Sequence, residues 1–167
     1  MNEQHYRAET YTAQNSVGYL IKRAHSMMLD VLEPVLEEHG YSYIQYVILS
    51  SLREGIAVNP KDICVQFRHD SGALTRVLDQ LTERGLLKRI RRGQDRRKVE
   101  LQLTEAGRKA VEGLIPLVVT KLNLALADFS GAEVELFLRL LVKLNGRLHS
   151  VLDSKLANGR ADCTEKQ

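Results

Sequence analysis

The sequence predicts a mainly α-helical chain carrying one small β-hairpin. Three observations lead there. Apolar residues recur at three- and four-residue intervals along most of the chain, which is the spacing of one helix face. Around residues 86–103 the period changes to two, the spacing of a strand pair. With three prolines and 5% aromatic residues among 167, little interrupts the long helical patterns.

The elements follow in order. Val17, Leu20, Ile21, Ala24, Met28, Val31, Leu32 and Val35 mark a long amphipathic helix from about Asn15 to Glu38, with Gly40 as its stop and Pro34 placed to bend its last turn. Ser42 and Gln45 have the spacing of a capping box, and Tyr41 with Tyr46 that of a hydrophobic staple. The helix they open ends at about Glu54, before Gly55. Asn59-Pro60, an N-cap followed by proline, starts a short helix to Phe67. After a tight turn at Arg68-His69, Asp70 caps a helix with Leu74, Val77, Leu78 and Leu81 on one face and Gly85 at its end.

Beyond Gly85 the alternation of Leu87, Arg89 and Arg91 with Leu86, Lys88 and Ile90 predicts a strand. A turn at Arg92-Gly93-Gln94-Asp95 leads to a second strand carrying Val99, Leu101 and Leu103. Thr104 caps a helix that extends through Leu122, with Pro116 inside it. Ser130 and Glu133 form another capping box and open a last helix to about Leu156. The organisation is thus a first helix within 1–40, a middle domain at 41–104, two helices at 105–156 and a disordered tail at 157–167.

Several classes are set aside. No apolar run reaches the roughly 18 residues of a membrane span, and polar Met1 to Thr12 lacks a signal peptide's apolar core, so a cytoplasmic location is expected. Cys64 and Cys163 have no metal-ligand spacing, and no disulfide, metal or cofactor is expected. Cys64 reads as a small packing residue where two short helices cross. There is no phosphate-cradling glycine loop, and the five histidines are scattered, which argues against an enzyme.

Charge points elsewhere. Arg84, Lys88, Arg89, Arg91, Arg92, Arg96, Arg97 and Lys98 lie within fifteen residues against one acid, Asp95, and the rest of the chain is net acidic. Like charges repel unless something neutralises them, so a polyanion is the natural partner. A short helix, a tight turn, a capped helix and a basic hairpin in that order, over residues 59–104, make a winged helix-turn-helix, the form that lays its second helix in the major groove of duplex DNA. Ser71, Gly72, Thr75 and Arg76 are the candidate contacts there, reaching base edges or phosphates. Arg96 and Arg97 at the hairpin tip, with Asp95 orienting a guanidinium and Lys98 beside them, suit a minor groove. The plainer alternatives are solvent-facing helix residues and a solvated basic turn. A helical module that meets an acidic protein partner is the competing function.

The run Leu81-Thr-Glu-Arg-Gly-Leu-Leu-Lys-Arg89 and the later Asp95, Arg97, Leu103, Thr104 and Gly107 resemble the D-x-R and L-T-x-x-G wing signature of the MarR (multiple antibiotic resistance regulator) family. The helix order agrees from about residue 15 to 155. The resemblance implies a homodimer that binds pseudo-palindromic operators, most often as a repressor, and is released in many members by small phenolic or anionic ligands. The crowded apolar faces of Leu117–Leu126 and Leu136–Leu144 independently suggest burial by a second copy. Tyr19, Arg23, His25, Tyr43 and Tyr46 fall in segments that line the family's pocket, where Arg or His can hold a carboxylate. They read equally as helix-contact or surface residues. Asp70 to Thr75 also resembles the organic-hydroperoxide branch, which senses through a cysteine early in the first long helix. Gly18 stands at that position, so peroxide sensing of that design is not expected.

Overall fold

The structure, a computed structural model, describes residues 4–67, 71–91 and 99–161. The chain divides into a first unit up to Leu122 and a second from Asn123.

The first unit begins with residues to which the sequence assigned no element. They form two short 3-10 turns, Ala8–Thr10 and Ala13–Asn15, against the start of α1 (Val17–Glu37). The Tyr6 hydroxyl accepts from the Val17 amide at 2.9 Å, and Ser16 Oγ accepts from the Tyr19 amide and the Tyr11 hydroxyl. Amides at a helix start have no intrahelical acceptor, and these polar side chains supply some. Val17, Tyr19, Leu20, Ile21 and Met27 are nevertheless exposed. From Met28 onward one face of α1 is packed: Leu32 and Leu36 meet Leu114 and Val118 of α5 (Glu105–Ala125), with Tyr43 and Tyr46 of α2 (Tyr43–Arg53) alongside. Pro34 and Pro116 lie inside α1 and α5.

A second, larger cluster holds the helix-turn-helix together. Ile48 and Leu49 of α2, Ile63 of α3 (Pro60–Phe67), and Leu74, Leu78 and Leu81 of α4 (Ser71–Glu83) close against Leu86, Leu87, Leu101 and Val111. Among the described side chains of α3, Ile63 rather than Cys64 is fully buried; Cys64 is half-buried at the cluster's edge. Adjacent helix residues point about 100° apart, so both cannot face the crossing squarely. Arg68, His69 and Asp70, read above as a turn and a cap, lie outside the described residues.

α4 ends at Gly85, whose φ of +69° suits a residue without Cβ. The Leu86 amide donates to the Leu81 carbonyl and that of Gly85 to Thr82, a Schellman closure that sends the chain into β1 (Leu87–Arg91). β1 pairs antiparallel with β2 (Val99–Leu103), Leu87 opposite Leu103 and Arg91 opposite Val99. The Leu101 amide also donates to the Val58 carbonyl at 2.8 Å, tying the loop after α2 to the hairpin.

The physical content of the L-T-x-x-G element is visible here. Thr104 Oγ1 donates to the Gly85 carbonyl at 2.7 Å and accepts from the Gly107 amide at 3.0 Å. A Cβ at Gly107 would stand 2.1 Å from the Leu86 carbonyl oxygen, so only glycine allows the start of α5 to lie this close to the root of β1.

In the second unit Ser130 and Glu133 form the expected capping box. Glu133 accepts from the Ser130 amide and hydroxyl, and these bonds hold its carboxyl below the usual range. They open α6 (Gly131–Ala161), which continues past the predicted end at Leu156 into the stretch read as a disordered tail. Lys155, Leu156, Ala157 and Arg160 are good helix formers and outweigh Asn158 and Gly159. Among the described residues no helix is long and apolar enough to cross a membrane.

Candidate nucleic-acid interface

α3 starts from a closed local network. Asn59 Oδ1 accepts from the Asp62 amide at 2.9 Å, while Asp62 Oδ2 accepts from Asn59 Nδ2 at 2.7 Å and from the Val58 amide at 3.2 Å. This fixes the direction in which α3 leaves the loop, and its Ile63 contact then seats α4.

α4 is divided cleanly by burial. Leu74, Leu78 and Leu81 face the core, while Gly72, Thr75 and Arg76 are exposed at the spacing of the opposite face. An exposed helix face with hydroxyl and guanidinium groups in its first turns is what a major groove can accept. Asp79, one turn further along the same row, is a carboxylate that would repel phosphate. Arg89 of β1 answers it: Nη2 lies 2.7 Å from Asp79 Oδ1. The pair therefore neutralises the face and ties the root of the hairpin to α4. Arg89 stands opposite buried Leu101 in the ladder, so its stem runs along the core side while its head reaches outward.

Arg84 is also engaged inside the fold, donating to Gln45 Oε1 at 3.2 Å and stacking over Tyr41. Arg84 and Arg89 thus also make contacts within the fold, and the charge of Arg89 is paired with that of Asp79. Neither contact was read from the sequence. Lys88 is exposed.

Of the sequence-derived DNA contacts, Gly72, Thr75 and Arg76 lie together on α4. Ser71 opens the helix, and its side chain lies outside the described residues, as do Asp95, Arg96, Arg97 and Lys98. Of the ligand candidates, Tyr43 and Tyr46 come together, half-buried in the cluster of Leu32, Leu36, Leu114 and Val118. Burial pushes the Tyr43 hydroxyl above its ordinary value, and Tyr46 adds to the effect. Tyr19, Arg23 and His25 are exposed on α1, outside that cluster.

This arrangement has known counterparts. The sequence model of the MarR family matches residues 42–99. An organic hydroperoxide resistance transcriptional regulator of Bacillus subtilis is 30% identical over 112 residues, spanning 67% of this chain and 76% of the relative. The chain belongs to the MarR family. Among solved structures, a cysteine-to-serine variant of MarR from E. coli complexed with operator DNA is similar at 27% identity and a TM-score of 0.66, covering 77% of this chain and 92% of that one. Bordetella bronchiseptica BpsR, whose DNA binding is regulated by 6-hydroxynicotinic acid, matches at 27% identity and a TM-score of 0.69, covering 81% and 96%. As a MarR-family member the chain is a DNA-binding transcription regulator and not an enzyme.

Proposed function

We propose that this regulator acts in the cytoplasm as a homodimer that represses a promoter by binding a pseudo-palindromic operator, and that a small aromatic or anionic ligand releases it. The observation that carries the reading is α6. Leu136, Phe137, Leu138, Leu140 and Val142 are 47 to 72% exposed on one 31-residue helix. Each Å² of apolar surface left in water forgoes about 25 cal/mol. A second copy offers the same surface under two-fold symmetry, which makes residues 1–40 and 105–156 the dimerisation arms. Two copies of the domain at 41–104 would then present two α4 helices roughly 34 Å apart, one turn of duplex DNA. Ser71, Gly72, Thr75 and Arg76 meet the major groove in this reading. Arg96 and Arg97, oriented by Asp95 and flanked by Lys98, enter the minor groove.

The ligand clause draws support from Tyr43 and Tyr46, which are half-buried beside apolar side chains, and from the regulation of BpsR by an aromatic acid. Arg23 and His25 would meet the ligand's anionic end, and Tyr19 its ring. Peroxide sensing is not part of the reading, although the Bacillus subtilis relative is named for hydroperoxide resistance, because Gly18 carries no sulfur.

The test is capture of genomic fragments by the purified protein, with and without 6-hydroxynicotinic acid and simple phenolic acids. Enriched fragments should carry two-fold sites at promoters, and an acid should release them. Enrichment of no fragment would overturn operator binding, and enrichment indifferent to every acid would remove the ligand clause.

A further inference from the structure

Gln45 is 8% exposed in the first turn of α2, and its side chain does more than cap that helix. Capping uses one lone pair of Oε1, which accepts from the Ser42 amide at 3.2 Å. The same oxygen accepts from Arg84 Nη1 at 3.2 Å, and Nε2 donates to Gln80 Oε1 at 3.2 Å. Gln80 and Arg84 are one turn apart at the far end of α4, so one buried amide holds that end at two points. The Arg84 guanidinium completes the seat: its Cζ lies 4.3 Å from the centroid of the Tyr41 ring. Tyr41 in turn packs against both core clusters.

We infer that Gln45 is a positioning residue that sets the orientation of α4 through Gln80 and Arg84, so that sequence discrimination by Gly72, Thr75 and Arg76 depends on a buried amide at the helix's opposite end. The inference rests on the reading of that first turn as the DNA-reading one. Leu74, Leu78 and Leu81 hold α4 down and Asp79 ties its middle to Arg89, but apolar contact is not directional, and at the far end of α4 the directional restraint comes from Gln45. Hydrogen bonds are directional. Thr75 and Arg84 are separated by about 13 Å of helix rise, so a tilt of about 5° at the anchored end moves the reading turn by about 1 Å. A shift of that size takes a base-edge hydrogen bond out of its working range of about 2.7–3.2 Å.

The experiment uses the full chain and a duplex that the wild type selects from a random-sequence library, with a scrambled duplex of equal length as reference. Gln45→Leu removes the node without changing charge. It should lose about tenfold on the selected duplex, comparable to a mismatched base pair, with binding to the scrambled duplex and the salt slope unchanged. Gln45→Glu should hold wild-type discrimination, because its carboxylate keeps both acceptor roles and the Gln80 amide can turn to donate. Arg84→Ala should show the same loss, and the double variant should be no worse than the larger single one. The inference is overturned if folded Gln45→Leu discriminates as wild type does. It is equally overturned if the two losses multiply and Arg84→Ala lowers the salt slope by about one, the mark of a direct phosphate contact. Should Gln45→Leu fail to fold by circular dichroism, Arg84→Ala with Gln80→Ala makes the same comparison. A wild type that enriches no duplex would defeat the DNA-reading assignment and the inference together; enrichment with an indifferent Gln45→Leu defeats the inference alone.

Discussion

Leu81 in α4 and Leu138 in α6 are the same residue on helices of similar apolar character, yet Leu81 is 0% exposed and Leu138 57%. Ile48, Leu49 and Ile63 side with Leu81; Phe137, Leu140 and Val142 side with Leu138. The difference lies in what each helix meets. α4 crosses α3, α2 and the root of the hairpin within a few dozen residues of chain, and their apolar faces close on one another. Along α6 this chain leaves those side chains in solvent. One region is a finished core, and the other is, in the function proposed above, half of an interface.

Removing a side chain from each region should separate the two. Leu81→Ala leaves a cavity in the finished core and should cost about 2–5 kcal/mol of folding stability, read by denaturant unfolding. Leu138→Glu should leave the far-ultraviolet circular dichroism intact while weakening self-association by at least about tenfold in analytical ultracentrifugation, as expected when a charge is placed in an apolar interface. An unfolded Leu138→Glu, or a monodisperse wild-type monomer, would erase the contrast between the regions.

A smaller effect belongs to the seam between α4 and the hairpin. Arg89→Ala removes a half-exposed ion pair and should cost no more than about 1 kcal/mol of stability. Its effect on duplex binding should be larger than that, because Asp79 is then an uncompensated carboxylate on the row proposed to face DNA. Adding Asp79→Asn should recover part of the affinity, measured by fluorescence anisotropy at fixed salt.

The smallest effect is in alkali. Tyr43 has its pKa raised in the folded state, first by burial and then by Tyr46. The folded protein therefore holds that proton longer than the unfolded chain, so this contribution to stability is full below pH 10.0 and declines as pH rises above it. Tyrosinate absorbance should show one hydroxyl titrating late, and Tyr43→Phe should remove that late step.

What could be read from the sequence is what neighbours decide. The row Leu74, Leu78 and Leu81 and the capping boxes at Ser42–Gln45 and Ser130–Glu133 depend on residues three and four apart, and their spacing announces them. The exposed row of Gly72, Thr75 and Arg76 follows from the same periodicity. Contacts between distant segments carry no such mark. Arg84 and Gln45 are separated by 39 residues, and nothing in either position says that they will share a hydrogen bond. Arg84 and Arg89 join the basic run by composition, and only the folded arrangement shows their guanidinium groups held by Gln45 and Asp79. Tyr6 and Tyr11 likewise sit in a segment that looks featureless until α1 supplies the amide and hydroxyl they bind.

The central claim is that two copies of this chain, joined along faces that one copy leaves bare, read one DNA site with two-fold symmetry. Footprinting on the duplex that the protein selects tests this most directly. Two protected segments related by a dyad are expected, with centres roughly 34 Å apart along the duplex. A single protected segment, unchanged by protein concentration and without a symmetric mate, would contradict it.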